Sequence, residues 1–174
     1  MNIINDNNNS LDIVDSKYII QSKEYYGDYY NGYTMKNVAM YDIAGNKLYD
    51  FEEKNAEIEW EMNGYDAFIT KYYDKGIETY DVVFKGEVVD TFAVKGNEYI
   101  SHGYYSVYLR YVETGVDTFE YRLYNAKGEQ LLKNDSYIQV IADGEDKVVV
   151  GVEVFNETTS KYEINVYTFN FVDA

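Results

Sequence analysis

Tyr41-Asp42-Ile43-Ala44-Gly45-Asn46-Lys47-Leu48-Tyr49-Asp50-Phe51 decides how this chain is read. An aromatic and apolar run leads into a glycine turn, a polar residue follows, and a short second run completes a β-hairpin pattern. The arrangement returns at 80–92 (YDVVFKGEVVDTF) and at 124–134 (YNAKGEQLLKN). The turn glycines Gly45, Gly86 and Gly128 stand 41 and 42 residues apart. A fourth is due near Asn170, a residue that also tolerates left-handed turn geometry. A fixed spacing of this size is the mark of a repeated supersecondary unit.

Outward from the turns, each period has room for two more strands. They fall at 57–62 and 67–73, at 98–102 and 105–112, and at 137–142 and 147–155. The first period takes 11–14, 18–26, 36–44 and 47–52. Hairpins are expected between 67–73 and 79–84, between 105–112 and 119–126, and between 147–155 and 162–171. Glu57-Ile58-Glu59-Trp60-Glu61-Met62 alternates carboxylates with large apolar groups, as a strand with one wet and one dry face requires. The chain holds 22 Tyr and 8 Phe, residues that favour pleated surfaces, and no stretch sustains helical spacing of its apolar positions. The expectation is one all-β repeat domain over 11–174. Residues 1–10, polar and Asn-rich, are read as a flexible lead-in.

The units resemble blades of β-propellers in general, whose third strand often reads aromatic-Asp, apolar, then Gly and Leu or Val, as in Tyr41 to Leu48. The resemblance extends over about 11–172 and lacks the Trp-Asp and Gly-His signatures of the WD40 family and the kelch glycine doublets. It implies about four repeated four-stranded antiparallel units of ~42 residues around a common axis. Four such units form a closed ring or an arc whose exposed edges a second copy completes as a homo-oligomer. The alternative architecture is an eight- to ten-stranded antiparallel barrel or sandwich.

Composition narrows the function. With 15 Lys+Arg against 31 Asp+Glu the formal charge is −16, which disfavours nucleic-acid and anionic-lipid partners. No run approaches the roughly 20 apolar residues of a membrane helix, so no membrane insertion is expected. Cys is absent and His102 is the one imidazole, which leaves little material for a metal centre or an activated nucleophile. The oxygen-rich Asp6 to Asp12 stretch fails the calcium-loop pattern, because Leu11 and Lys17 stand where Gly and a bidentate acid belong. No catalytic, metal or cofactor residue is assigned.

Aromatics recur near the end of the second strand of each unit: Tyr25 and Tyr26, Tyr72 and Tyr73, Tyr111, and Phe155. On a strand, adjacent tyrosines put one ring on each face. These six are the expected ligand-binding residues, collected at one rim, of a non-catalytic binding module that recognises a protein or carbohydrate partner, with an extracellular or cell-surface setting favoured. The other readings are a hydrolase or lyase using paired carboxylates, and a barrel that carries a small apolar ligand.

Overall fold

The computed structural model of the chain describes residues 9–26, 33–63 and 65–171, which form fifteen β-strands and one helical turn. The strands fall into four antiparallel sheets, each hydrogen-bonded in chain order. Sheet 1 holds β1 (Asn9–Val14), β2 (Tyr18–Tyr26), β3 (Tyr33–Asp42) and β4 (Lys47–Asp50). Sheet 2 holds β5 (Glu57–Met62), β6 (Ala67–Asp74), β7 (Ile77–Phe84) and β8 (Glu87–Ala93). Sheet 3 holds β9 (Glu98–Gly103), β10 (Val107–Gly115), β11 (Thr118–Asn125) and β12 (Gln130–Asn134). Sheet 4 holds β13 (Ile138–Asp143), β14 (Lys147–Asn156) and β15 (Lys161–Asn170). The chain is therefore all-β in several small sheets, and no continuous sheet of eight to ten strands exists among the described residues.

The three glycines of the opening pattern occupy one kind of place. Gly45, Gly86 and Gly128 each lie in the turn between third and fourth strands, with φ of 86°, 85° and 79°. A side chain is strained in that region, so the spacing of the glycines reports the spacing of the turns. A second backbone feature follows the same series. The residue after the third strand donates its N–H to a carbonyl just before the second strand: Lys85 to Asp66 at 2.6 Å, Ala126 to Ser106 at 3.0 Å, and Phe171 to Asp146 at 2.7 Å.

Four expectations need correction. Asn9 and Ser10 belong to β1, so the lead-in boundary at residue 10 falls inside a strand; residues 1–8 lie outside the described residues. Sheet 4 has three strands rather than four among the described residues. The run 47–52 is strand only to Asp50, where α1 (Phe51–Lys54) takes over. Asp50 caps it by accepting the Glu53 N–H, acids fill the first turn, and Asn55 ends it with φ 49°. Finally, β5 does not have one dry face. A bulge between Ile58 and Trp60 sets Ile58 opposite Thr70 and Trp60 opposite Ile69, so the two residues face different neighbouring sheets.

Three cores lie in series between consecutive sheets. Tyr18, Met40, Tyr49 and Phe51 from sheet 1 and α1 meet Phe68 and Val83 of sheet 2. Ala67, Ile69, Tyr80 and Val82 of sheet 2 meet Tyr108 and Tyr124 of sheet 3. Val107, Leu109 and Leu123 of sheet 3 meet Ile138, Val148, Val150 and Val152 of sheet 4. Successive residues of one strand thus serve opposite cores, Phe68 the first and Ile69 the second, Tyr108 the second and Leu109 the third. This explains why β6 and β10 begin with apolar residues in unbroken succession: both of their faces are buried. Each fully buried large side chain contributes about 1.5–3 kcal/mol.

Candidate functional site

The sheets present two unlike ends. Where second strands begin, polar contacts tie neighbouring sheets: Tyr18 OH donates to Asp66 at 2.9 Å, and Ser106 donates its backbone N–H and hydroxyl to Asp143. At the other end, second and third strands outrun the strands beside them. In sheet 1 the pairing of β2 with β3 continues to Tyr26 and Tyr33, past Lys23, the partner of Asn9 at the first described residue of β1. In sheet 2 the Tyr73–Glu78 and Asp74–Ile77 pairs extend beyond β5 and β8. In sheet 4 β13 stops opposite Val152, while β14 and β15 continue through four more pairs to Asn156 and Lys161.

Four of the six expected residues stand on these ribbons. Tyr25 does, but its hydroxyl donates to Glu52 at 3.1 Å and its side chain is only partly exposed. Tyr26 pairs with Tyr33 through the backbone, and its side chain lies outside the described residues. Tyr73 is 64% exposed and Phe155 50% exposed. The other two lie further in. Tyr72 packs at the margin of the first core and donates to the buried Asp81 at 3.2 Å; burial and the Asp81 charge raise its pKa. Tyr111 stacks on Tyr99 at 5.2 Å and meets Phe119 edge-on at 5.8 Å. Among the described residues no ring contact joins any two of the six, which are spread over the second strands of all four sheets.

Residues outside the six extend the exposed apolar surface. Tyr162 (69% exposed) meets Phe155 with ring centroids 5.1 Å apart, and Ile164, Val154 and Ile77 are exposed on the same ribbons. The alternation of Tyr162, Ile164 and Val166 was visible in the sequence, but it reads as a buried strand face. What lies opposite the face decides between burial and exposure.

Equivalent turns converge at the tied end. A cavity of about 570 Å³ is lined by Asp66, Ser106 and Glu145, which precede second strands, and by residues at the ends of the third strands, including Phe84, Lys85, Asn125, Lys127 and Asn170. Lysine immediately before a turn glycine, Lys85-Gly86 and Lys127-Gly128, is the sequence signal that could have found it. Lys17 bridges to Asp66 at 3.0 Å; that bond and the Asp66 charge raise its pKa, and Glu145 adds to the effect.

Elsewhere several carboxylates are held in hydrogen-bond and ion-pair networks. Asp81, with no exposed surface, accepts from Lys54, Tyr49, Tyr72 and Thr91. Asp90 and Glu98 both hold the guanidinium of Arg110. His102 is exposed and lies 4.8 Å from the ring of Tyr104. No helix among the described residues is long and apolar enough to cross a membrane. No protein-family model matches the chain, and no curated protein matches it.

Proposed function

We propose that the chain is a non-catalytic binding module, its sheets set as propeller-like blades about a common axis, that recognises a protein partner through the hairpin end. The observation that carries this reading is the set of projecting ribbons. A two-stranded ribbon without a third strand is marginal in water, yet the sheet 4 ribbon holds Val154, Phe155, Tyr162 and Ile164 exposed. Contiguous exposed aromatic and aliphatic groups of this kind suit a protein interface, where they supply contact area at low entropic cost. The charge of −16 steers basic partners toward the molecule. Support for the blade arrangement comes from the shared strand order and the cores in series between consecutive sheets.

The test uses a partner captured with the full chain. Tyr73→Ala, Phe155→Ala and Tyr162→Ala are each expected to stay folded and to weaken binding about tenfold. Tyr72→Ala is expected to lower stability through Asp81. Full affinity retained in all three exposed variants rejects the hairpin end as the binding surface.

A further inference from the structure

The cavity at the tied end has a size suited to a small ligand and brings two lysines into its lining. Most of its polar lining is already committed. Asp66 accepts from Lys17 and Tyr18, Ser106 donates to Asp143, and Glu129 accepts from Asn125 at 2.7 Å. Lys85 and Lys127 are different: neither forms an ion pair among the described residues. Both ammonium groups instead approach one ring, that of Phe84, at 5.3 and 5.9 Å from its centroid. They come from turns of two different sheets, so the fold brings two cations together on one aromatic side chain.

The lining charges that remain are Glu145 and Glu129, whose bond from the neutral Asn125 amide leaves it anionic, together with the side chains of Asn63 and Asn170 and the hydroxyl of Thr168. Two ammonium groups against two carboxylates leave the lining balanced, a less negative spot than the chain's overall charge of −16 implies. The ammonium pair suits one anionic group. Glu145 accepts from hydroxyl donors and opposes a second anionic group, while the amides can donate and accept. We propose that this cavity binds a small hydroxylated carboxylate, the chemical class of a sugar acid, with the carboxylate at Lys85 and Lys127 and hydroxyls at Glu145 and the asparagines. The surrounding acidity holds the affinity to the millimolar range.

Chemical-shift mapping on the full chain, with glucuronate, glucose and acetate as probes, tests the assignment. Glucuronate is expected to give saturable shifts grouped at Asn63, Lys85, Lys127, Glu145 and Asn170, with Tyr73 unmoved and with glucose and acetate about tenfold weaker. Lys85→Asn removes one ammonium at a position with φ 50°, which asparagine adopts readily, and Lys127→Gln removes the other. Each is expected to weaken glucuronate about two- to five-fold at an unchanged melting temperature, and added salt acts in the same direction. An equal response to acetate overturns the proposal because the hydroxyls are then unread. An equal response to glucose, shifts scattered over the surface, or no saturable shift overturns it as well.

Discussion

Lys54 Nζ lies 2.5 Å from Asp81 Oδ2, joining a cation on the helical turn after β4 to a carboxylate with no exposed surface in the middle of β7. Asp81 also accepts from Thr91 at 2.8 Å, Tyr49 at 2.9 Å and Tyr72 at 3.2 Å, and Tyr49 shares its hydroxyl with Thr70 at 3.0 Å. The network sits where sheet 1 meets sheet 2. Replacing Asp81 with Ala leaves buried donors without an acceptor and is expected to destabilise the fold by about 3–5 kcal/mol. Lys54→Met is expected to cost less, because the lysine is partly exposed and three hydroxyl donors still serve the carboxylate. Urea denaturation of both single variants and the double variant checks this; additive losses would mean that the pair is uncoupled.

The same groups set a pH window. Burial pushes Asp81 up, but hydrogen bonds from Lys54, Thr91 and Tyr49 outweigh it and hold the carboxyl below its ordinary value. A depressed folded pKa contributes stability that is present above the unfolded value of about 3.9 and is lost as pH falls through the folded one. At the other limit, burial first and neighbouring carboxylates second push Tyr18 and Tyr65 up to about 12, and burial raises Tyr49 and Tyr108 as well. Burial lowers Lys54, but Asp81 outweighs it and the pKa is raised. Raised folded values contribute stability that is full below the unfolded values of about 10 and is lost as pH climbs through the folded ones. Stability is therefore expected to be flat from about pH 4 to 10 and to fall on both sides. Tyrosinate absorbance at high pH should rise together with loss of the near-ultraviolet circular dichroism; complete tyrosine ionisation in a folded chain would contradict the burial of these hydroxyls.

Arg110 holds sheets 2 and 3 together in a different manner. Its guanidinium carbon sits 3.8 Å from the Phe92 ring centroid while its nitrogens reach Asp90 at 3.1 Å and Glu98. A lysine cannot stack a planar fork on the ring and bridge two carboxylates at once. Arg110→Lys is expected to cost about 2 kcal/mol in spite of the conserved charge, read from the denaturation midpoint at unchanged slope.

What the sequence made legible follows from geometry that few residue types tolerate. Gly45, Gly86 and Gly128 mark equivalent turns because positive φ strains other side chains, and the hairpins at 67–84, 105–126 and 147–171 follow from turn residues between β runs. The helical turn at Phe51–Lys54 is too short to show periodicity, although Asp50, Glu53 and Asn55 carry its capping pattern. The bulge in β5 escaped because strict alternation of Ile58, Trp60 and Met62 assumes an unbroken register. Site residues were legible by type and not by environment. Tyr72 and Tyr73 look alike in sequence, yet one reaches the buried Asp81 and the other, largely exposed, donates to Glu78 at the surface. Lys85 and Lys127 meet at Phe84 only because turns 42 residues apart in the chain are brought to one cavity.

Gly76 and Gly86 separate the conformational from the packing demand on a turn. Lys75-Gly76 and Lys85-Gly86 are both two-residue hairpin loops with positive φ at each position, 51° and 81° in the first, 50° and 85° in the second. A Cβ added at Gly76 meets nothing within 4 Å, whereas one at Gly86 falls 2.6 Å from Cβ of Leu48 on β4 of sheet 1. Gly76→Ala is expected to cost about 1 kcal/mol, the strain of alanine in the left-handed region. Gly86→Ala bears that strain and must also move the β4 backbone or its own turn, adding about 1–3 kcal/mol. Trimming Leu48 to Ala should recover only part of the loss, because the closest approach is to Cβ, which alanine keeps; Leu48→Gly should recover more of the coupling. Denaturation midpoints of the two glycine variants, alone and with the Leu48 changes, measure the difference. Equal losses at Gly76 and Gly86 would show that β4 does not press on the sheet 2 turn in solution, and the docking of sheet 1 would then rest on the Lys54–Asp81 network and the apolar core beside it.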